Sequence, residues 1–145
     1  MAQATKVAAE ALAAFNTHDE ARMRALYSDD ATLEAPGEVR IEGGDGAVGY
    51  AMAWLNAFPD ARLEVHDEVA AGDWVVQRFT FSGTHDELLA SPTGDIPATH
   101  RRIDGRGLQM LRISGGKIAE EHLYFDQVQV MTQLGLMPEM AAAHS

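Results

Sequence analysis

The sequence predicts an α+β fold in which helices pack on one face of an antiparallel sheet. Apolar residues recur at helical spacing as far as Phe58, and from Leu63 onward they alternate as they do in strands. Helical segments followed by strands are typical of this class, whereas a parallel sheet would interleave the two. No internal repeat or linker divides the 145 residues, so we expect one domain over positions 1–145.

Two helices are predicted at the start of the chain. Apolar residues over positions 7–15 repeat at helical spacing and mark the first helix. Thr17, with Glu20 three residues later, has the form of a capping box. This pattern predicts a second, short helix that runs through Tyr27 and ends at positions 29–30.

A third helix is predicted after a glycine cluster at positions 43–46. Residues 47–58 carry a single apolar stripe, and Pro59 ends it because proline cannot continue a helix. The segment 31–34 between the second and third helices has the alternation of a short strand. All three helices therefore belong to the first half of the chain.

The second half is predicted to form strands. Residues 74–82 are rich in aromatic and β-branched side chains, and both faces of this segment are apolar. Two apolar faces need two partners, so we expect helices or a cavity on one side and a second copy of the chain on the other. Residues 83–99 form a long polar loop of a length that is often functional. The predicted strands cover residues 63–69, 74–82, 102–113 and 117–125, and a short helix capped by Asp126 follows them.

Composition excludes several classes of function. Eleven basic and 22 acidic residues give a net charge of −11, which would repel a nucleic-acid backbone. Cysteine is absent, so thiolate catalysis and cysteine-ligated zinc are excluded, and no histidine pattern of a metal site occurs. The start lacks the pattern of a secretory signal, and no apolar run is long enough to span a membrane. We therefore expect a cytoplasmic protein with no nucleic-acid or membrane partner.

Short segments along nearly the whole chain resemble the SnoaL-like polyketide cyclase branch of the nuclear-transport-factor-2-like (NTF2-like) fold. Their order and spacing, more than any single segment, carry the resemblance. They are the segments 14–16, 26–31, 58–60, 83–85, 92–94, 112–118 and 133–135.

This resemblance implies a cone formed by a curved antiparallel sheet and three N-terminal helices around an apolar cavity. It also implies a small hydrophobic ligand or substrate and chemistry without a cofactor, whereas the homodimer is predicted from the two apolar faces of residues 74–82. The tail from about residue 137 to 145 is predicted either to be flexible or to close the cavity. The fold itself hosts cyclases, isomerases, epoxide hydrolases and plain binding proteins, so it does not select one activity.

The catalytic sets of the family are replaced in this chain. The resemblance puts Leu123 where aldol cyclases have an acid/base aspartate, and Gln109 where they have a pocket histidine. Ala35 stands where ketosteroid isomerases have their base. Arg78 matches the arginine of limonene-epoxide hydrolases, but the two acids of that site fall at Thr80 and Leu123.

The residues that remain predict a different pair of catalytic groups. If the pocket face of the family carries over, Arg78 and Glu121 both point into the cavity. A buried guanidinium needs a carboxylate or an anionic ligand, so Glu121 is predicted to be the acid/base and Arg78 its orienter or an oxyanion clamp. A structural ion pair at one end of the sheet is the alternative, and the sequence favours neither.

The remaining pocket candidates are predicted to bind substrate. Gln109 offers an amide that donates and accepts hydrogen bonds, although a mid-strand polar residue satisfied by its neighbours is equally consistent with the sequence. Trp54 is either a core residue or an aromatic cavity wall. His85 is expected to anchor the long loop near the cavity mouth, and His122 is expected to point away from the pocket. The substrate-binding candidates are Gln109, Thr80, Trp54, Leu123, Phe125 and His85.

Three functions follow from these observations. The first is a cofactor-independent cyclase or isomerase that transfers a proton on a hydrophobic carbonyl compound. The second is a protein that binds such a ligand without chemistry, which the replaced catalytic sets favour. The third is epoxide opening, in which Glu121 would have to do the work of two acids.

Overall fold

The computed structural model describes residues 2–91 and 94–137, and within them the predicted α+β fold is confirmed. Residues 2–91 and 94–137 form four helices and a curved, unclosed sheet of six strands. The helices are α1 Ala2–Asn16, α2 Glu20–Leu26, α3 Gly44–Ala57 and α4 Gln127–Gln133. The strands are β1 Tyr27–Ala35, β2 Val39–Glu42, β3 Arg62–Ala71, β4 Trp74–Thr84, β5 Arg102–Ser114 and β6 Lys117–Phe125.

The strands lie in the order β2-β1-β6-β5-β4-β3. The expectation of a purely antiparallel sheet was wrong, because β1 and β6 pair in parallel. Sequence analysis also missed β2, which returns along β1 after a turn at Gly37 and Glu38, both at positive φ. These two differences put β6 in the interior of the sheet, between β1 and β5.

The second helix begins two residues later than predicted. Asp19, not Thr17, caps it, since Asp19 Oδ1 accepts a hydrogen bond from the backbone N–H of Arg22 at 3.0 Å. The Thr17 hydroxyl instead donates to the carbonyl of Ala13 at the end of α1, at 2.8 Å. The helix ends at Leu26, so Tyr27 opens β1 instead of closing the helix.

Helices α1, α2 and α3 cover one face of the sheet, which we call the inner face. Asn16 ties the end of α1 to the edge strand β3, because its side chain accepts from Leu63 N–H at 2.8 Å and donates to Leu63 C=O at 3.0 Å. The largest fully buried apolar side chains of the core are Phe58, Leu33, Ile103, Ile118, Leu134 and Val75.

A β-bulge in β3 changes which side chains of this strand face inward. Val65 pairs with Phe79, whereas Asp67 pairs with Arg78 and Glu68 with Gln77, so His66 is the extra residue. An extra residue reverses the alternation beyond it, because side chains alternate with period two.

The C-terminal part of the described chain closes one end of the inner face. Asp126 caps α4 as predicted and accepts from the backbone N–H of Gln129 at 2.9 Å. Pro92, Thr93 and the tail 138–145 lie outside the described residues, and so do the predictions made for them. No helix within residues 2–91 and 94–137 is long and apolar enough to cross a membrane.

Candidate active site

A pocket of about 120 Å³ lies between the inner face of the sheet and helices α1 and α3. Its wall is mainly apolar and aromatic, and its polar side chains come from strands of the sheet, apart from one tyrosine on α3. Those polar side chains are Tyr27, Tyr50, Gln77, Gln109 and Glu121.

Glu121 is the buried carboxylate of this pocket. It lies on β6, is 8% exposed and accepts a short hydrogen bond from the hydroxyl of Tyr27 on β1. Burial raises the pKa of Glu121, while the Tyr27 hydrogen bond and the charge of His122 act in the opposite direction. The pKa of Tyr27 is raised well above its usual value, first by burial and then by the neighbouring carboxylate. Glu121 is thus a carboxyl group that holds its proton more tightly than an exposed one.

Gln109 and Gln77 form the second polar group of the pocket. Gln109 on β5 donates from Nε2 to Oε1 of Gln77 on β4 at 2.8 Å. Gln77 is only 2% exposed and donates in turn to Glu68 Oε1 on β3 at 2.8 Å. The amide of Gln109 thereby faces the same pocket as Glu121.

The predicted inward position of Arg78 and Thr80 was wrong. Gln77, Phe79 and Phe81 line the pocket, so alternation along β4 turns Arg78 and Thr80 to the opposite, outer face. There Arg78 Nε lies 2.6 Å from Asp67 Oδ2, and the two side chains are 53% and 63% exposed.

Thr80 instead bonds an outer-face histidine, with its hydroxyl 2.7 Å from Nε2 of His66. The predicted Arg78–Glu121 pair therefore does not form, since the two side chains lie on opposite faces of the sheet. The physical reason is that the inward positions of β4 carry the side chains that pack under α1 and α3.

The other pocket candidates divide into two groups. Trp54, Leu123 and Phe125 line the pocket together with Gln109. Trp54 packs edge to face against Phe125, with ring centroids 5.5 Å apart, and forms a rigid aromatic wall.

His85 lies outside the wall of this pocket. It is fully buried and stacks on Phe58 with centroids 5.1 Å apart. Its Nδ1 accepts from the backbone N–H of Thr99 at 3.2 Å, and the Thr99 hydroxyl lies 3.0 Å away. Burial lowers the pKa of His85. His85 thus joins the two ends of the long loop and does not line this pocket, although the sequence predicted it to be a substrate-binding residue.

The outer face carries a chain of charged groups beside Glu121. His122 points outward as expected, with its ring nitrogens 2.9 Å from Glu34 Oε1 and 3.3 Å from Glu120 Oε1. Arg112 binds the other oxygen of Glu120. Glu34 on β1 pairs with both His122 and Arg40, each at 2.9 Å.

Sequence analysis missed Tyr27 and Gln77. The sequence pattern predicts a helix through Tyr27. In the structure Tyr27 begins a nine-residue strand and points inward, as Leu33 does. Gln77 is a single polar residue within the inward row Val75, Phe79 and Phe81, and this exception to the apolar pattern was the available signal.

A curved sheet with helices on one face is the architecture of the NTF2-like class, and a largely apolar pocket with a few convergent polar groups has the features common in small-molecule sites. The chain belongs to the SnoaL-like polyketide cyclase family, whose model matches residues 6–134. It is 33% identical over 111 residues to the aklanonic acid methyl ester cyclase DnrD of Streptomyces peucetius, covering 75% of this chain and 72% of that relative. It is 31% identical over 111 residues to the nogalonic acid methyl ester cyclase of Streptomyces nogalater, covering 75% and 77%.

Among solved structures, IdmH of Streptomyces antibioticus is similar, with a TM-score of 0.76 and 29% identity over 92% of this chain and 99% of that chain.

Proposed function

We propose that this protein is a cofactor-independent cyclase that closes a ring in a polyketide methyl ester, with Glu121 as the acid/base. The observation that carries the proposal is a buried carboxyl group with a raised pKa on the wall of an apolar pocket. Carboxyl groups with strongly shifted pKa values in such pockets are candidates for proton transfer. A raised pKa makes the ionised carboxylate a stronger base. Family membership and the similarity to two methyl ester cyclases support this substrate class.

The proposed reaction is an intramolecular aldol closure. Glu121 removes a proton from a carbon next to one carbonyl group, and the resulting carbanion forms a C–C bond to a second carbonyl carbon. The oxygen of that second carbonyl takes up a proton and becomes a hydroxyl group, so the product has the mass of the substrate. Gln109 supplies an amide on the same wall that is able to hold a substrate oxygen.

The size of the pocket suggests how such a ligand is accommodated. Pockets for ligands of drug size usually measure about 300 to 1,000 Å³, and this pocket measures about 120 Å³. A second pocket of about 340 Å³ shares Tyr50, Trp54 and Phe125 with the first. We expect the reacting end of the ligand to enter the inner pocket and the remainder to occupy the outer one.

Binding without chemistry is the second candidate function, and one observation favours it. Leu123 lines the pocket at the position where the resemblance leads one to expect the acid/base aspartate of aldol cyclases. Epoxide opening, by contrast, required Arg78 beside the ligand, and Arg78 lies on the outer face.

Incubation with aklanonic acid methyl ester and, separately, with nogalonic acid methyl ester tests the proposal. We expect a product of unchanged mass with an altered chromatographic retention, formed by the wild-type protein and not by Glu121→Gln. Glu121→Gln should still bind the ester in a fluorescence titration. Binding of both esters without any product would favour the second function, and normal turnover by Glu121→Gln would remove Glu121 from the mechanism.

We also propose a cytoplasmic homodimer that associates through the outer face of the sheet. Val69 and Tyr124 are 64% and 57% exposed on this side, which is a large exposure for apolar side chains. Light scattering at micromolar concentration tests the proposal, since a monomeric mass would contradict it.

A further inference from the structure

Glu68, Gln77 and Gln109 form a row that crosses three neighbouring strands. Glu68 on β3 pairs with Gln77 on β4, and Gln77 pairs with Gln109 on β5. The side chains are joined end to end by two hydrogen bonds of 2.8 Å each. The row starts at an exposed residue of an edge strand and ends at the pocket wall.

The β-bulge at His66 is what brings Glu68 into this row. Leu63 and Val65 point inward, so strict alternation would turn position 67 inward and position 68 outward. The extra residue reverses this order, and Asp67 faces outward to Arg78 while Glu68 reaches Gln77. Bulges occur preferentially next to active sites, where they re-aim side chains.

The chemistry of the three side chains fixes which group donates and which accepts in each hydrogen bond of the row. A carboxylate only accepts hydrogen bonds, so Gln77 must present its NH₂ group to Glu68. The Gln77 carbonyl oxygen then faces Gln109, which must present its own NH₂ group to that oxygen. Gln77 is 2% exposed, and water has little access with which to satisfy a reversed amide.

We propose that Glu68 is a positioning residue that fixes, through Gln77, which atoms of the Gln109 amide face a bound ligand. The inference rests on the proposed function only in that Gln109 contacts the substrate. With the row intact, Gln109 keeps its carbonyl oxygen and one remaining N–H for the ligand in a single orientation. A glutamine at position 68 could either accept a hydrogen bond from Gln77 or donate one to it. The amides of Gln77 and Gln109 would then no longer be held in one orientation.

Nuclear magnetic resonance of the side-chain amides tests the row without any substrate. In the wild-type protein we expect one set of NH₂ signals for each of Gln77 and Gln109, both protected from hydrogen exchange. In Glu68→Gln we expect two sets or faster exchange, because both amide orientations become possible. Unchanged signals and unchanged protection in Glu68→Gln would overturn the proposal. Glu64→Gln is the matched control, since Glu64 is an exposed glutamate of the same strand that lies outside the row.

A double-mutant cycle tests the consequence for the pocket. We expect Glu68→Gln to lower kcat/KM for aklanonic acid methyl ester about tenfold, and to have less than about a twofold effect once Gln109→Met has removed the end of the row. Equal effects in both backgrounds would show that Glu68 does not act through Gln109 and would overturn the proposal. Thermal unfolding of each variant separates this coupling from a loss of fold. If neither ester is converted by the wild-type protein, the proposed function fails, and the resonance experiment alone decides the role of Glu68.

Discussion

Glu120 and Glu121 are adjacent on β6, yet the two faces of the sheet give them opposite properties. Glu120 faces outward, where hydrogen bonds from Arg112 and then His122 hold its pKa below the ordinary value. Glu121 faces inward, where burial raises its pKa. Two identical side chains at neighbouring positions therefore differ because alternation exposes one to charged partners and the other to an apolar pocket.

The two faces also satisfy their polar groups in different ways. On the outer face the partners are opposite charges, as in the half-exposed pair of Arg78 and Asp67. On the inner face the partners are neutral donors, such as the Tyr27 hydroxyl beside Glu121. A neutral donor favours the ionised form of a carboxyl group less than a cation does, so burial outweighs the Tyr27 hydrogen bond at Glu121 and the pKa there is raised.

The largest expected difference between the faces is in turnover. Glu121→Gln should lower kcat by about a hundredfold or more, which is the usual contribution of a general acid or base. Glu120→Gln, the matched substitution on the outer face, should change kcat by less than about twofold, because the two faces are separated by the sheet. Parallel kinetics with the same ester measure both. Equal losses of kcat in the two variants would mean that the face of the sheet does not determine which of the two glutamates is catalytic.

The second largest difference between the two faces is expected in the pH dependence of stability. The folded-state pKa of Glu121 is raised, so its contribution to stability is present at low pH and is lost as the pH rises through that pKa. The folded-state pKa of Glu120 is lowered, so its contribution is present at higher pH and is lost as the pH falls. Relative to the wild-type protein, Glu121→Gln should therefore gain free energy of unfolding as the pH rises above the ordinary glutamate pKa.

Denaturant unfolding from acid to neutral pH measures that difference, with Glu120→Gln as the comparison. For Glu120→Gln the change should lie below the ordinary glutamate pKa, where the variant should lose stability relative to the wild-type protein as the pH rises toward that value. A difference for Glu121→Gln that does not change with pH would contradict the raised pKa.

Loss of the hydrogen bond between Tyr27 and Glu121 is expected to have a smaller effect than the two differences above. Tyr27→Phe removes the donor to a buried carboxyl group and should lower the free energy of unfolding by about 1 kcal/mol. It should also raise the pKa of Glu121 further, since the hydrogen bond favours the ionised form. Tyr124→Phe, on the exposed side of β6, the strand that carries Glu121, is the matched control and should change neither quantity. Similar losses of stability in the two variants would argue against a special contribution from Tyr27.

The smallest effect is expected at Arg78. Arg78→Gln breaks an exposed ion pair and should cost less than about 1 kcal/mol, with turnover unchanged. Chemical unfolding and kinetics on the same sample measure this. A large loss of kcat would instead support the catalytic role that the sequence predicted for Arg78.

Sequence patterns within a few residues were sufficient to predict the structure where helices and strands are regular. Strict alternation in β6 predicts that Glu121 shares a face with Leu123 and Phe125, and all three line the pocket. The apolar stripe of α3 and the cap at Asp126 were predicted for the same reason, because the signal lies within a few residues.

Features that depend on distant partners were not predictable. Which face of β4 lies inward is set by helices α1 and α3, which end at Asn16 and Ala57, well before β4 begins at Trp74, and the error at Arg78 followed from this. The bulge at His66 and the parallel pairing of β1 with β6 have no local signal either. The row from Glu68 to Gln109 depends on that bulge, and therefore it emerges only in the folded chain.

A ¹³C titration of the glutamate side-chain carboxyl groups tests the central claim most directly. We predict a midpoint for Glu121 above the ordinary glutamate value and a midpoint for Glu120 below it, in the same sample. Assignment follows from the loss of one signal in each of Glu121→Gln and Glu120→Gln. A midpoint for Glu121 at or below the ordinary value would contradict a buried acid/base in this pocket.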